Sequence, residues 1–408
     1  MSACVGNSPR PLRGVVARGL IALISCLVLV AAQKPPADKK TAPAANGAVE
    51  TKAEIALLVD FASGAVLFAK NADHSFPPAS LTKMMTVAVA ARELKNGPLT
   101  LDTEFLMSEH AWRTGGAPSR TSSMFAPVNS KVLVSDLLRG IMIQSANDGA
   151  IAMAEGIAGT EGAFADLMNK RAAELGMTAT HFGNPTGLPG ADNRTTAQDL
   201  VVLGRHLIVD YPDVYKIYSE REFTYNKIRQ TNRNPLLTLG IGADGIKTGY
   251  IKESGYNLVG SAVQGDQRLI VVIGGAPTEK DRGEDARKLL DWGFRNFETV
   301  RIYRAGETIG EASVFGGAAR TVPVTAAKDV DVLLPRGKRD KLRARVVYTG
   351  PVKAPIAANH SIGRLWVTND DHPVVDYEVV AGADVAKGDV LHRAVDGTRE
   401  LLIGLLRR

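Results

Sequence analysis

Cysteine is nearly absent from this chain. The two it has, Cys4 and Cys26, lie in an N-terminal stretch laid out as an export signal: Arg10, Arg13 and Arg18, the apolar run GLIALISCLVLVAA, and small residues suited to cleavage near Ala32. With residues 1–32 removed no thiol remains, which excludes disulfides and thiolate catalysis and leaves ordinary packing to hold the fold. The run Gly19–Ala32 falls short of the roughly 20 residues needed to cross a bilayer, and it continues past Cys26, which argues for cleavage over lipoprotein processing. Strong charge is also missing. The formal +6 falls to +3 once the three signal arginines are gone, and aromatics at 6% are not interleaved with any dense Lys/Arg patch. Nucleic acid is therefore not an expected partner; acidic wall polymers or anionic lipid heads suit the mild basicity better. The seven histidines (His74, His110, His181, His206, His360, His372 and His392) show no i,i+4 or clustered spacing, so neither a metal nor any other cofactor is expected.

What is present divides into segments. Residues 33–50, rich in Pro, Ala and Lys, read as a flexible tether. AEIALLVDFASGAVLFAKN is two apolar runs around Ser63-Gly64, a hairpin signal. Helical periodicity runs from Ser80 to about Asn96, from Ser135 through Ala158, from Glu161 to Leu175 and along AQDLVVLGRHLIVD. Strand signals return from Gly242 to Gly275 with turns at Lys252–Gly255 and Gln264–Gln267, and the helix EDARKLLDWGFRNF closes this half. Strands at both ends with helices between predict an α+β domain over 51–298, an antiparallel sheet covered by an inserted helical region. Short alternating strands over 299–388 predict a small β-sandwich. Helical periodicity resumes at 389–408.

Three short motifs carry the chemistry. SLTK places Ser80 three residues before Lys83, so on a helix Oγ and Nζ share a face. Alone this is weak, since a capping serine and a surface lysine produce the same string. SAN at Ser145–Asn147 lies where two apolar helical runs meet, and KTG at Lys247–Gly249 lies on a strand beside a hairpin. The set S-x-x-K, S-x-N and K-T-G, in this order, marks serine enzymes acylated by penicillins. The serine attacks a carbonyl and forms an acyl-enzyme that water hydrolyses. For Lys83 to accept the proton it must be neutral, and moving a lysine from about 10.4 to about 7 takes about 4 kcal/mol of differential destabilisation. Burial with Lys247 nearby supplies that; exposure does not. Met84, Met85, Met142 and Met153, around the first two motifs, read as core packing.

The chain resembles the low-molecular-mass penicillin-binding proteins that act as serine D-alanyl-D-alanine carboxypeptidases. LLRGIMIQSANDGA, NRNPLL, DGIKTGY, SGYNLVGSA and WGFRNFETV extend the likeness over nearly the whole mature chain. It implies a β-lactamase/transpeptidase-like catalytic domain with the β-rich domain appended, acting on peptidoglycan stem peptides ending in D-Ala-D-Ala and inhibited by β-lactams. By resemblance, Ser145 relays a proton to the leaving amine and Asn147 bonds the substrate amide. Lys247 supplies positive charge beside Ser145, and Thr248, with Gly249 and Tyr250, grips the substrate. The backbone N–H groups of Ser80 and Tyr250 form the oxyanion hole, and Arg282 receives the terminal carboxylate. Tyr250 stands where some relatives have histidine.

Three rivals share these residues or the fold. A class A β-lactamase needs a deacylating glutamate, and the loop FGNPTGLPGADNRTTAQDL contains none. A DD-endopeptidase acting on cross-linked peptides uses the same residues; the appended domain and terminal helix favour the carboxypeptidase. An inactive wall-binding scaffold has no reason to keep all three motifs. The amphipathic 389–408 segment and the resemblance together imply an exported, periplasmic protein held peripherally on the outer face of the inner membrane.

Overall fold

The computed structural model describes residues 49–190, 192–339, 342–369 and 372–389. The expected export signal, nearly all of the tether and the helix beyond Asp389 lie outside them. Contacts gather the described chain into two units. One runs to Tyr303 and includes Asp329–Arg336; the other holds Arg304–Lys328 and the residues from Gly337 on.

The first unit opens on the expected hairpin, β1 (Ile55–Asp60) and β2 (Val66–Lys70), paired antiparallel. A helical insertion follows: α1 (Lys83–Asn96), β3 (Glu104–Leu106), α2 (Glu109–Gly115), β4 (Lys131–Leu133), α3 (Val134–Arg139), α4 (Asn147–Ala158), α5 (Glu161–Glu174), α6 (Ala197–Asp210) and α7 (Pro212–Tyr215). After the small hairpin of β5 (Glu222–Tyr225) and β6 (Ile228–Thr231), the sheet resumes with β7 (Ala243–Ile251), β8 (Gly255–Gln264) and β9 (Gln267–Ala276), and α8 (Glu279–Asn296) ends the run. The sheet order is β2-β1-β9-β8-β7, antiparallel throughout, with β7 on an edge. The first and last strands of the domain are thus neighbours, as the α+β reading requires.

All six residues of β1 are buried, because an interior strand covered on both faces needs apolar side chains on both. Leu57 and Val59 join a core with Met84, Met85, Leu200 and Leu203 of α1 and α6. Ala56 and Leu58 point the other way, into a core with Ala286, Leu289 and Leu290 of α8. Met142 and Met153 are buried in the first of these cores, as expected.

Two helix boundaries differ most from the sequence reading. The single helical stretch from Ser135 to Ala158 is broken: α3 runs into a π-turn at Gly140–Gln144, Ser145 takes a left-handed conformation at φ 66°, and α4 starts at Asn147. The apolar period continues across the break, so periodicity does not reveal it. α8 begins at Glu279 rather than Glu284, because Thr278 Oγ1 accepts the Asp281 N–H and caps a turn made of charged residues.

After α8, β10 (Phe297–Tyr303) pairs with β13 (Val330–Pro335) as a ribbon of the first unit. The second unit contributes β11 (Thr308–Phe315), β12 (Thr321–Ala326), β14 (Leu342–Tyr348), β15 (Val352–Lys353), β16 (Ser361–Asn369) and β17 (His372–Ala381), hydrogen-bonded in the order β14-β16-β17-β12-β11-β15. In β11, Ala312 and Val314 are buried and alternate with exposed Glu311 and Ser313, as in a strand with one face inward, and the register shift near Gly310 puts buried Ile309 out of that phase. Among the described residues no helix is long and apolar enough to cross a membrane.

Candidate active site

Ser80 lies in a 3-10 turn, Ala79–Thr82, that leads into α1, and it caps nothing: neither that turn nor α1 has a side-chain cap. The turn is under backbone strain, since Ala79 before the serine sits at φ 50°. Lys83, the first residue of α1, is completely buried. Its Nζ stands 3.0 Å from Ser80 Oγ and donates to the Thr186 carbonyl at 2.6 Å. Burial pulls the Lys83 pKa from 10.5 down to about 7; the positive charge of Arg233 adds to the effect and Asp148 opposes it. The second cause is therefore Arg233, where the sequence suggested Lys247.

Thr186 is held by its own loop. Asn184 Oδ1 accepts from the Thr186 and Gly187 N–H groups, and Thr86 Oγ1, one turn along α1, donates to the Pro185 carbonyl at 2.6 Å. Gly187, at φ +75°, lies so close to the turn that an added Cβ would fall inside the Ala79 carbonyl. This is the loop that lacks a glutamate, and it meets the lysine through a backbone carbonyl.

The second motif sits at the broken helix. Ser145 is 3% exposed, left-handed, and its Oγ has no hydrogen-bond partner among the described residues. A strained, buried hydroxyl with its bonding capacity open is costly unless something else fills it. Asn147 is buried too; its Nδ2 donates to Thr121 Oγ1 at 2.9 Å and its N–H to the Ser122 carbonyl at 2.7 Å, while Oδ1 is unpartnered among the described residues. Asp148 accepts from the Ser123 hydroxyl at 2.7 Å and the Met124 N–H at 3.0 Å, tying segment 121–124 to α4. Burial raises the Asp148 pKa, against the hydrogen bonds from Ser123 and the backbone. The π-turn that presents Ser145 packs on α1.

The third motif forms the edge strand β7. Lys247 is 2% exposed, and burial first, then the charges of Lys83, Arg233 and Arg282, hold its pKa well below the ordinary lysine range. Gly249 allows β7 to close on the serine: a Cβ there would stand 3.0 Å from Pro78 O and 3.1 Å from Ser80 N. Thr248 and Tyr250 pair with Leu258 and Tyr256 on the α8 side of the sheet. The Thr248 side chain is buried; that of Tyr250 is exposed and stacks on Tyr256 at 4.3 Å. Arg282 is only 4% exposed, with its guanidinium 5.8 Å from the Tyr256 ring and one bond to Glu279, so it is not a surface arginine.

The structure thus joins Ser80 to Lys83 directly, sets Gly249 against the serine, and brings Lys247 within electrostatic range of Lys83 and Arg282. Sequence reasoning missed Arg233, Thr121, Thr186 and Asp148. Arg233 had a signal: it stands between two asparagines in NRNPLL, and those asparagines fix the turn, Asn232 by donating to the Tyr218 and Glu220 carbonyls and Asn234 by accepting the Leu236 N–H.

Comparison with known proteins agrees with this arrangement. A family model described as D-alanyl-D-alanine carboxypeptidase matches residues 39–278, and one for the penicillin-binding protein 5 C-terminal domain matches residues 297–387. The chain belongs to the D-alanyl-D-alanine carboxypeptidase family. It is 38% identical to D-alanyl-D-alanine carboxypeptidase DacA of Haemophilus influenzae, covering 84% of this chain and 88% of that protein. It is 40% identical to DacC of Escherichia coli, covering 83% and 86%. Among solved structures, penicillin-binding protein 5 from Haemophilus influenzae matches with a TM-score of 0.79 at 39% identity, over 84% of this chain and 99% of that one. Penicillin-binding protein D2 from Listeria monocytogenes in the ampicillin-bound form matches with a TM-score of 0.54 at 29% identity, over 61% and 100%. The expected two-part architecture, a carboxypeptidase domain followed by a β-rich one, is that of the family.

Proposed function

We propose that this protein is a serine-type D-Ala-D-Ala carboxypeptidase, which removes the terminal D-alanine from peptidoglycan stem peptides through an acyl-enzyme on Ser80. The observation that carries the reading is the 3.0 Å contact between Ser80 Oγ and a fully buried lysine whose pKa lies at about 7. Such a lysine is neutral often enough at physiological pH to take the serine proton. Oγ then bonds to the carbonyl carbon of the penultimate D-alanine, and the oxyanion is received by the N–H groups of Ser80 and Tyr250. Collapse breaks the C–N bond. The departing amine takes a proton passed from the Lys83 ammonium through Ser145, whose open hydroxyl suits a relay. Water then hydrolyses the ester and restores Ser80. Thr248 and Arg282 receive the terminal carboxylate, Asn147 the upstream amide, and Lys247 stabilises negative charge near Ser145. A β-lactam presents the same carboxylate and a reactive amide, so it acylates the same serine. The catalytic domain is assigned to residues 51–298 and the appended domain to 299–388, with export by residues 1–32, tethering by 33–50, and peripheral attachment of the periplasmic protein to the inner membrane by 389–408.

Intact-mass spectrometry after incubation with benzylpenicillin tests the assignment, alongside D-alanine release from a D-Ala-D-Ala-terminated peptide. The wild type gains one adduct and releases D-alanine; Ser80→Ala does neither. An adduct of equal yield on Ser80→Ala refutes the nucleophile.

A further inference from the structure

Away from the three motifs, α1, α5 and α6 are tied together around one buried histidine, His206 of α6. Both ring nitrogens are engaged: Nδ1 lies 2.5 Å from Oδ2 of Asp210, one turn on, and Nε2 lies 2.9 Å from Nη2 of Arg171 on α5. A guanidinium can only donate, so Nε2 accepts from Arg171, and the ring proton sits on Nδ1 and goes to the Asp210 carboxylate. The imidazole held in this way is neutral. Arg171 also donates to Glu174 at 2.7 Å, and Glu174 accepts a second bond from Arg92 of α1 at 2.9 Å. Lys95 of α1 donates to the Asp210 carbonyl and lies 5.7 Å from the Tyr211 ring, which meets His206 edge-on at 4.9 Å.

Protonation of the ring upsets this balance. The cations around it are Arg171, Arg92 and Lys95, and the carboxylates are Asp210 and Glu174, so a positive charge is already in excess. The other elements packed on α6 offer no relief: Asp60 of β1 acts on Arg205, and Asp213 of α7 is paired with Lys216 at the surface. An imidazolium would also aim an N–H at the Arg171 guanidinium, donor against donor. We propose that His206 is an acid-sensitive latch: neutral, it ties α6 to α5 and, through Glu174 and Arg92, to α1; protonated, it expels Arg171 and loosens that side of the helical insertion. Burial is the main cause holding the His206 pKa below its ordinary value; the Asp210 hydrogen bond opposes it, and the charges of Arg171 and Lys95 add to it. The unfolded chain, whose histidine titrates near 6.5, therefore takes up this proton first. The stability of the fold is complete above that pH and falls as the pH drops through and below it.

Thermal unfolding at pH 7.5 and pH 5.5, followed by circular dichroism, tests the latch against His206→Gln. The glutamine amide can accept from Arg171 and donate to Asp210 but cannot take a proton. On acidification the wild-type Tm is expected to fall by about 3 °C more than that of the variant. Titration of the ring nitrogens by NMR in the histidine-labelled wild type reads the same proton directly and needs no variant. His206 should show a midpoint below 6.5, and Arg171→Gln should raise that midpoint by removing the opposing cation. Equal losses of Tm in the wild type and His206→Gln, or a wild-type ring midpoint at or above 6.5, overturn the latch.

Discussion

A lysine gives up its proton near neutral pH when its surroundings neither hydrate the ammonium nor balance its charge. At Lys83 complete burial supplies the first condition, and the positive charge of Arg233 strengthens the second. The Ser80–Lys83 pair was legible because three residues of helix bring two side chains to one face. The Arg233 contribution was not, since it depends on a turn after β6 folding back towards α1. The sign of its effect is testable. Acylation by the serine should rise with pH through about 7 as Lys83 loses its proton. Arg233→Gln removes a cation that disfavours the charged lysine, so the rising limb should move up by about 0.5–1 pH unit and the rate at neutral pH should fall. The shift should shrink in high salt. Lys83→Arg, which cannot shed its proton, is the control and should acylate orders of magnitude more slowly. An Arg233→Gln profile that coincides with the wild type would show that burial alone sets the base.

At the scale of elements, the site is a meeting of four pieces that the sequence reads singly: the turn before α1, the π-turn before α4, the edge strand β7, and the loop from Phe182 to Thr196. Type and order of the long elements followed from periodicity, and AQDLVVLGRHLIVD is α6 residue for residue. The break at Ser145 did not, because Ile141, Met142 and Ile143 continue the apolar pattern into a turn held by tertiary contacts. The loop gave no periodic signal; its shape comes from Asn184 bonds and from Gly187. Gly187→Ala should therefore be severe. The added methyl collides with the Ala79 carbonyl at a backbone conformation alanine disfavours, so the loop must lift and take the Thr186 carbonyl away from Lys83. A loss of about 3 kcal/mol in urea unfolding, with benzylpenicillin acylation slowed at least tenfold, is expected. Wild-type values for both would mean that the loop has room to relax without disturbing the lysine.

The whole molecule was legible as two parts because the helical period ends near Thr299 and short alternating strands replace it. The contacts draw a finer line: β13 comes later in the chain than two strands of the second unit, yet it pairs with β10 and belongs to the first. Pairings between distant segments leave no local trace, so no window of sequence shows this one. The proposed attachment to a membrane concerns the full chain, and the proposal places it on residues beyond Asp389. In GDVLHRAVDGTRELLIGLLRR, Leu391, Leu401, Leu402, Leu405 and Leu406 recur mostly at helical spacing and Arg393, Arg399, Arg407 and Arg408 add basic character, the sequence pattern expected of an interfacial helix. On this proposal, burying four of these five leucines would contribute roughly 6 kcal/mol before ordering costs, enough for reversible attachment. A chain ending at Asp389 should then acylate with benzylpenicillin at the wild-type rate and fail to sediment with anionic liposomes, which the full mature chain should bind less well as salt is raised. Sedimentation of the shortened chain with the same liposomes would move the membrane contact elsewhere, to the mildly basic surface of the folded units.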